Sequence, residues 1–208
     1  MGTLAPRLAL ALSALALTAC TTTVATPTAV PQPTTTTAEP TTGSTKPTTK
    51  PTTKPTKTRT VEKDIAAVQP CQVAAVVKAP EFGINPEIDG HARDSSDIFP
   101  GSKVCTVVGF KANLIVGVEA VVTSDVATWT DGLGPMVTPL TIEGFPAAMV
   151  RPKKPSSCFA VVDVKDGQMM FFQVTVGSPD RQPQTSQDDL CVKVRKIAET
   201  GMKVVLTG

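Results

Sequence analysis

The sequence predicts an α+β domain: a single antiparallel curved sheet of about five to six strands, with N-terminal and C-terminal helices tied by two disulfides. Three observations carry this. Two apolar segments, 158–164 and 168–176, flank Asp166-Gly167, a strong two-residue hairpin signal. Leu190, Cys191, Val194, Ile197 and Ala198 recur at helical spacing behind Ser186-Gln187-Asp188-Asp189, a capping-box-like start. Cys71, Cys105, Cys158 and Cys191 are spread over the same region.

In chain order, a first helix is expected from Cys71 to Lys78, between Pro70 and Pro80. A loop rich in Asp, Gly and Pro runs from Ala79 to Ser102. Lys103–Lys111 and Asn113–Thr123 read as strands around a tight turn, the second placing Leu114, Val116, Val118, Ala120 and Val122 on one side. Residues 124–139 are polar, carry glycines and hold the single tryptophan, Trp129. Leu140–Val150 is a weaker strand region broken by Gly144 and Pro146. If Lys165 pairs with Gln168, Val164 faces Met169, Val162 faces Phe171 and Cys158 faces Thr175, leaving Phe159, Val161, Met170, Phe172 and Val174 on the other side. Both faces of this hairpin are apolar, so both should be covered.

An even number of cysteines in an exported chain reads as disulfides, and four cysteines allow three connectivities. Cys71–Cys105 with Cys158–Cys191 is the expected pairing, since each joins the start of a helix to a strand. Each would close a loop worth on the order of 4 kcal/mol in the chain-entropy model. A metal site is not expected, because there is no Cys-x-x-Cys pair and His91 is the sole histidine.

The first sixty residues read differently. Arg7 is the only charge before an apolar run, Leu8–Leu17, of signal-peptide length and too short to span a bilayer. The run ends in Leu17-Thr18-Ala19-Cys20, which resembles the lipobox of bacterial lipoproteins, so residues 1–19 are expected to be a signal peptide and Cys20 the lipidated first residue of the mature chain. Several acyl chains such as palmitate on one residue hold firmly, at about 0.8 kcal/mol per buried methylene. Residues 20–60 then form a stalk of Thr, Pro and Lys with the near-repeat Lys46-Pro-Thr-Thr-Lys50-Pro-Thr-Thr-Lys54. Its composition cannot offset chain entropy by burial, and it would reach about 35 Å as a coil or about 120 Å extended. Residues 61–208 form the globular domain.

The cysteine framework carries a further resemblance. Pro70-Cys71 opening the domain, Cys105 in a strand, Cys158 beginning another and Cys191 opening a C-terminal helix are similar to a family of actinobacterial lipoproteins catalogued only as a domain of unknown function. The resemblance runs from Val61 to Leu206 and extends to the lipobox and stalk. It implies a fold and an address but no catalytic residues. The family pattern places an aromatic two residues after the second cysteine, where this chain has Val107.

Charge argues against nucleic acid as a partner: residues 61–208 hold fourteen basic and seventeen acidic residues, a net of −3, the reverse of a basic binding face. No catalytic constellation stands out. His91 sits in a polar loop, Asp94, Asp97, Asp125 and Asp131 read as turn acids, and Gly132-Leu133-Gly134-Pro135 lacks the context of a phosphate loop. Arg151, Lys153 and Lys154 read as a solvated hairpin end or an acidic partner's dock. Trp129 is the candidate partner contact, weighed against a buried loop plug. The expected function is a non-catalytic binding module without cofactors, lipid-anchored through Cys20 on the extracellular face of the cell membrane, its partner an envelope or secreted protein. The alternatives are a carrier of a lipid or small apolar ligand, for which Met169, Met170, Phe171 and Phe172 would line a cavity, and a cell-wall hydrolase, which needs two carboxylates within about 10 Å in a cleft.

Overall fold

The computed structural model describes Arg59, residues 61–86 and residues 90–208. The chain divides into two units, Met1–Pro51 and Thr52–Gly208, and the described residues all belong to the second. The expected signal peptide, Cys20 and the stalk up to residue 58 lie outside the described residues.

Seven strands form one fully antiparallel sheet: β1 (His91–Arg93), β2 (Lys103–Gly109), β3 (Leu114–Val121), β4 (Val137–Ile142), β5 (Phe145–Val150), β6 (Ser157–Lys165) and β7 (Gln168–Val176), in spatial order β1-β2-β3-β7-β6-β5-β4. The helices are α1 (Pro70–Ala74), α2 (Val126–Thr130) and α3 (Gln187–Thr207). Both expected disulfides are formed, Cys71–Cys105 and Cys158–Cys191.

The extra strands come from turn chemistry. Leu140–Val150 is not one broken strand, because Glu143 and Gly144 both take positive φ, 49° and 82°, and fold the segment into the β4–β5 hairpin. Pro139 lies in β4, an edge strand, where a missing N–H is tolerated. The first helix is α-helical only through Ala74 and continues as a 3-10 turn over Ala75–Lys78. Adjacent Val76 and Val77 disfavour helix, and Pro80 forces Ala79 into extended backbone. The strand expected over 113–123 ends at Val121, so Val122 leaves the apolar side and is exposed.

The hairpin register also differs. Lys165 does pair with Gln168, but a bulge between Asp163 and Lys165 shifts every later pair by one residue. Asp163 stands opposite Met169, Val162 opposite Met170, Val161 opposite Phe171 and Cys158 opposite Val174. One inserted residue exchanges the faces of β7 relative to β6. The first face therefore carries Cys158, Ala160, Val162, Met170, Phe172 and Val174 beneath α3, with Val116 and Val118 of β3. Phe171, expected on the side of Cys158 and Val162, lies on the second face with Val161 and Met169.

Helix α3 is capped by Ser186, whose hydroxyl accepts from the Asp189 N–H at 3.1 Å. It buries Leu190, Cys191, Val194, Ile197, Ala198 and Met202 against β6 and β7. Gly201 permits this approach: a Cβ there would meet Phe172 Cε1 at 2.8 Å. The first face is thus filled by side chains from α1, α3 and the sheet.

Candidate functional site

Two ends of the sheet have different characters, and the N-terminal lead segment identifies one of them. The Lys63 N–H donates to the Val164 carbonyl (3.0 Å), the carbonyl of the bulged residue. The Ile65 N–H donates to Gln168 Oε1 (2.9 Å), and Lys165 Nζ lies 2.8 Å from the Asp64 carboxylate. That contact, with the Ala66 N–H and Gln168 also donating, holds the Asp64 carboxyl down at about 2. Arg59 Nη1 lies 3.0 Å from Asp163 Oδ1, both side chains almost fully buried, and its other nitrogen pairs with Asp166. The chain is therefore strapped to the β6–β7 tip.

Next to that end, the second face is roofed by aromatics. Phe99 and Trp129 pack over Phe171 at ring-centroid distances of 5.3 Å each, and Trp129 meets Phe159 at 6.2 Å. Trp129 sits on the single turn of α2, which Asp125 caps by accepting from the Thr128 N–H at 2.8 Å. The Ser96 hydroxyl accepts from the N–H groups of Ile98 and Phe99, both at 3.1 Å, shaping the loop that delivers Phe99. Beneath the loop lies Glu119 of β3, 4 % exposed, between Val104 and Phe171 in the register. Burial pushes its carboxyl up from 4.5, opposed by a hydrogen bond with Ser96 and the nearby Arg93 and reinforced by Asp97. Among the described residues, Glu119 Oε2 and the buried Ser102 Oγ have no hydrogen-bond partner.

Away from the tip the roof stops. The open half of the second face is read from the register as His91, Thr106, Gly117, Gln173 and Phe159 across five strands, then Val108, Ile115, Thr175 and Ser157 in the next row. All but exposed His91 are half-buried, and neither row contains Lys, Arg, Asp or Glu. Exposed Phe110 extends the open half at the β2–β3 turn. Beyond Thr175 the surface continues into an open groove of about 520 Å³, lined in part by Lys154, Ser156, Gln184 and Gln187. The loop beside it is organised by buried Asn113 (φ 54°), whose amide donates to the carbonyls of Ser178 (2.9 Å), Arg181 (2.7 Å) and Pro183 (3.2 Å) and whose oxygen accepts from the Ser178 N–H (2.9 Å).

A family model described as "Protein of unknown function (DUF3558)" matches residues 15–203. The chain belongs to the DUF3558 family. No curated protein and no solved structure matches it.

Within this DUF3558 domain the residues singled out from sequence scatter rather than converge. His91 is exposed on edge strand β1 opposite Thr106. Asp97 pairs with Arg93 at 3.3 Å, Asp125 is a helix cap, and Asp94 and Asp131 are exposed. Gly132 and Gly134 take positive φ and lead into a 3-10 turn, as a turn reading requires. Arg151 pairs with Asp188 at the start of α3, while Lys153 and Lys154 are exposed. Met169 to Phe172 alternate between the two packed faces. Trp129 is half-buried, part of the aromatic roof and at its rim. Among the described residues no group of three or more His, Cys, Asp or Glu side chains is placed to hold a metal ion, and no helix is long and apolar enough to cross a membrane. Glu119, Gly117 and Asn113 had no distinguishing sequence signal beyond one charge and one glycine inside apolar strands and one turn residue.

Proposed function

We propose that this DUF3558 chain is a lipid-anchored, non-catalytic surface module that docks an envelope or secreted protein on the open half of its second face. One observation carries the reading: two adjacent rows of half-buried side chains, up to five strands wide, that include Phe159 but no Lys, Arg, Asp or Glu, with Trp129 and Phe110 at their margins. Charge depletion at the centre with aromatic anchors is the compositional mark of a protein interface core.

Leu17-Thr18-Ala19-Cys20 supports the anchor, and the family match begins at residue 15 and so includes it. The carrier alternative gains nothing from the first face, where Phe172, Val73 and Met202 fill the space under α3.

Two substitutions test the two halves of the reading. Cys20→Ser should move the chain from the membrane fraction to the medium and abolish the mass added at the mature N-terminus. Ile115→Lys should abolish capture of the partner by cross-linking on intact cells, while Val192→Lys, exposed on α3, leaves it intact. Unchanged membrane fractionation of Cys20→Ser, or unchanged capture by Ile115→Lys, contradicts the corresponding half.

A further inference from the structure

The two disulfides sit in different surroundings. Cys158 is 0 % and Cys191 3 % exposed, and their bond lies between β6 and the long helix α3. The Cys158 sulfur packs 3.4 Å from Met149 Sδ and 3.5 Å from the Val150 carbonyl oxygen. No reagent reaches either sulfur without lifting the helix. In the other bond Cys105 is 0 % exposed in β2, but Cys71, on the short helix α1, is partly exposed.

Cys71 lines an open pocket of about 360 Å³, whose other walls include Ala75, Lys78, Gly90 and Val107. Small residues keep the bond uncovered. A Cβ on Gly90 would stand 2.6 Å from the Cys105 sulfur and 3.5 Å from the Cys71 sulfur, so any side chain there would lie across the disulfide. On β1 the residue opposite Cys105 is Ala92, which ends at its methyl group. The pocket therefore holds a disulfide with one sulfur within reach and one out of reach, and a lysine in its wall.

We infer that Cys71–Cys105 is a thiol–disulfide exchange site, entered through this pocket by a thiolate that attacks Cys71, while Cys158–Cys191 stays closed. The incoming thiol gives its proton to solvent, its sulfur bonds to Cys71 Sγ, and the bond to Cys105 breaks. The electron pair leaves on the Cys105 sulfur, which takes up a proton because a thiolate is unfavourable among the apolar side chains of the first face. A monothiol stops there, as a mixed disulfide on Cys71. A dithiol of the Cys-x-x-Cys class goes further. Its second thiolate attacks its own sulfur in the mixed disulfide, Cys71 leaves and is protonated, and the reductant departs as a disulfide. Two electrons have then passed from the reductant to two thiols of this chain. Access decides which sulfur is attacked, and Lys78 draws the anion in. Opening the bond removes the cross-link between α1 and β2 and leaves α3 fastened to β6.

The test uses the full chain carrying Cys20→Ser, so that no fifth thiol competes. One arm receives millimolar reduced glutathione and the other receives thioredoxin kept reduced by its reductase. Both are stopped with acid at intervals, alkylated with iodoacetamide and read by peptide mass spectrometry. Glutathione should appear on Cys71 with alkylation on Cys105, and thioredoxin should leave both alkylated. In either arm Cys71–Cys105 should open at least tenfold faster than Cys158–Cys191. Opening in one arm alone supports the site and names the source of the thiolate as small molecule or dithiol protein. Ala75→Phe, which narrows the pocket from an exposed position, should slow opening at least tenfold with Tm unchanged. Glutathione on Cys105, both disulfides opening at one rate, no opening in either arm, or an unchanged rate in Ala75→Phe would each overturn the exchange site.

Discussion

Glu119 shows how one side chain sets the pH response of the aromatic roof. Desolvation raises its carboxyl above 4.5 in the folded chain, so between 4.5 and that raised value the folded chain holds a proton that the unfolded chain has released. The sign follows: this group penalises the fold little below 4.5, and stability is lost as pH rises through the elevated folded value. Glu119→Gln keeps the shape, supplies an amide and removes the titration. It should raise stability at pH 7 by about 1–2 kcal/mol, the scale of an unsatisfied buried polar group, and flatten the fall in urea midpoint that Glu119 is expected to cause in the wild chain as pH rises above 4.5. Equal pH slopes in the two proteins would contradict this. Nothing in Val118-Glu119-Ala120 distinguishes such a buried acid from a solvent-facing one in an amphipathic strand. Its burial depends on the Ser96–Phe99 loop, which arrives from β1 across the sheet.

At the scale of elements, the β6–β7 hairpin is where most of the fold was legible and where one residue altered its consequence. Asp166-Gly167 located the turn and the alternation located the strands, but a bulge is not encoded by hydrophobic period, because both faces of this hairpin are apolar and either register buries them. The bulge is held from outside by the Lys63–Val164 bond and by Arg59 on Asp163, contacts more than a hundred residues away in sequence. The disulfide pairing followed from helix-to-strand spacing, whereas β4–β5 went unread because Glu143 at positive φ is an unusual turn residue. Arg59→Ala takes the cation from a carboxylate that is nearly inaccessible and should cost roughly 3 kcal/mol. The double variant Arg59→Met with Asp163→Leu should recover most of that loss in urea denaturation. A single variant as stable as the parent would remove the strap from the account.

For the whole molecule, the two faces of the sheet divide the work. The first is packed by α1 and α3 and fixed by Cys158–Cys191, and it makes the domain stable. The second is roofed at the strapped end and open at the other, and that open half is the docking surface we propose. The sequence predicted one antiparallel sheet, its terminal helices and both disulfides, but the open half is assembled from β1, β2, β3, β7 and β6 and exists only in the register. The most direct measurement is photo-cross-linking on intact cells, with the reactive residue placed at Thr175 in one chain and at Val192 in another. A single discrete adduct from Thr175 and none from Val192 is the predicted result; an adduct from Val192 alone, or none from Thr175, would contradict a docking surface on the open second face.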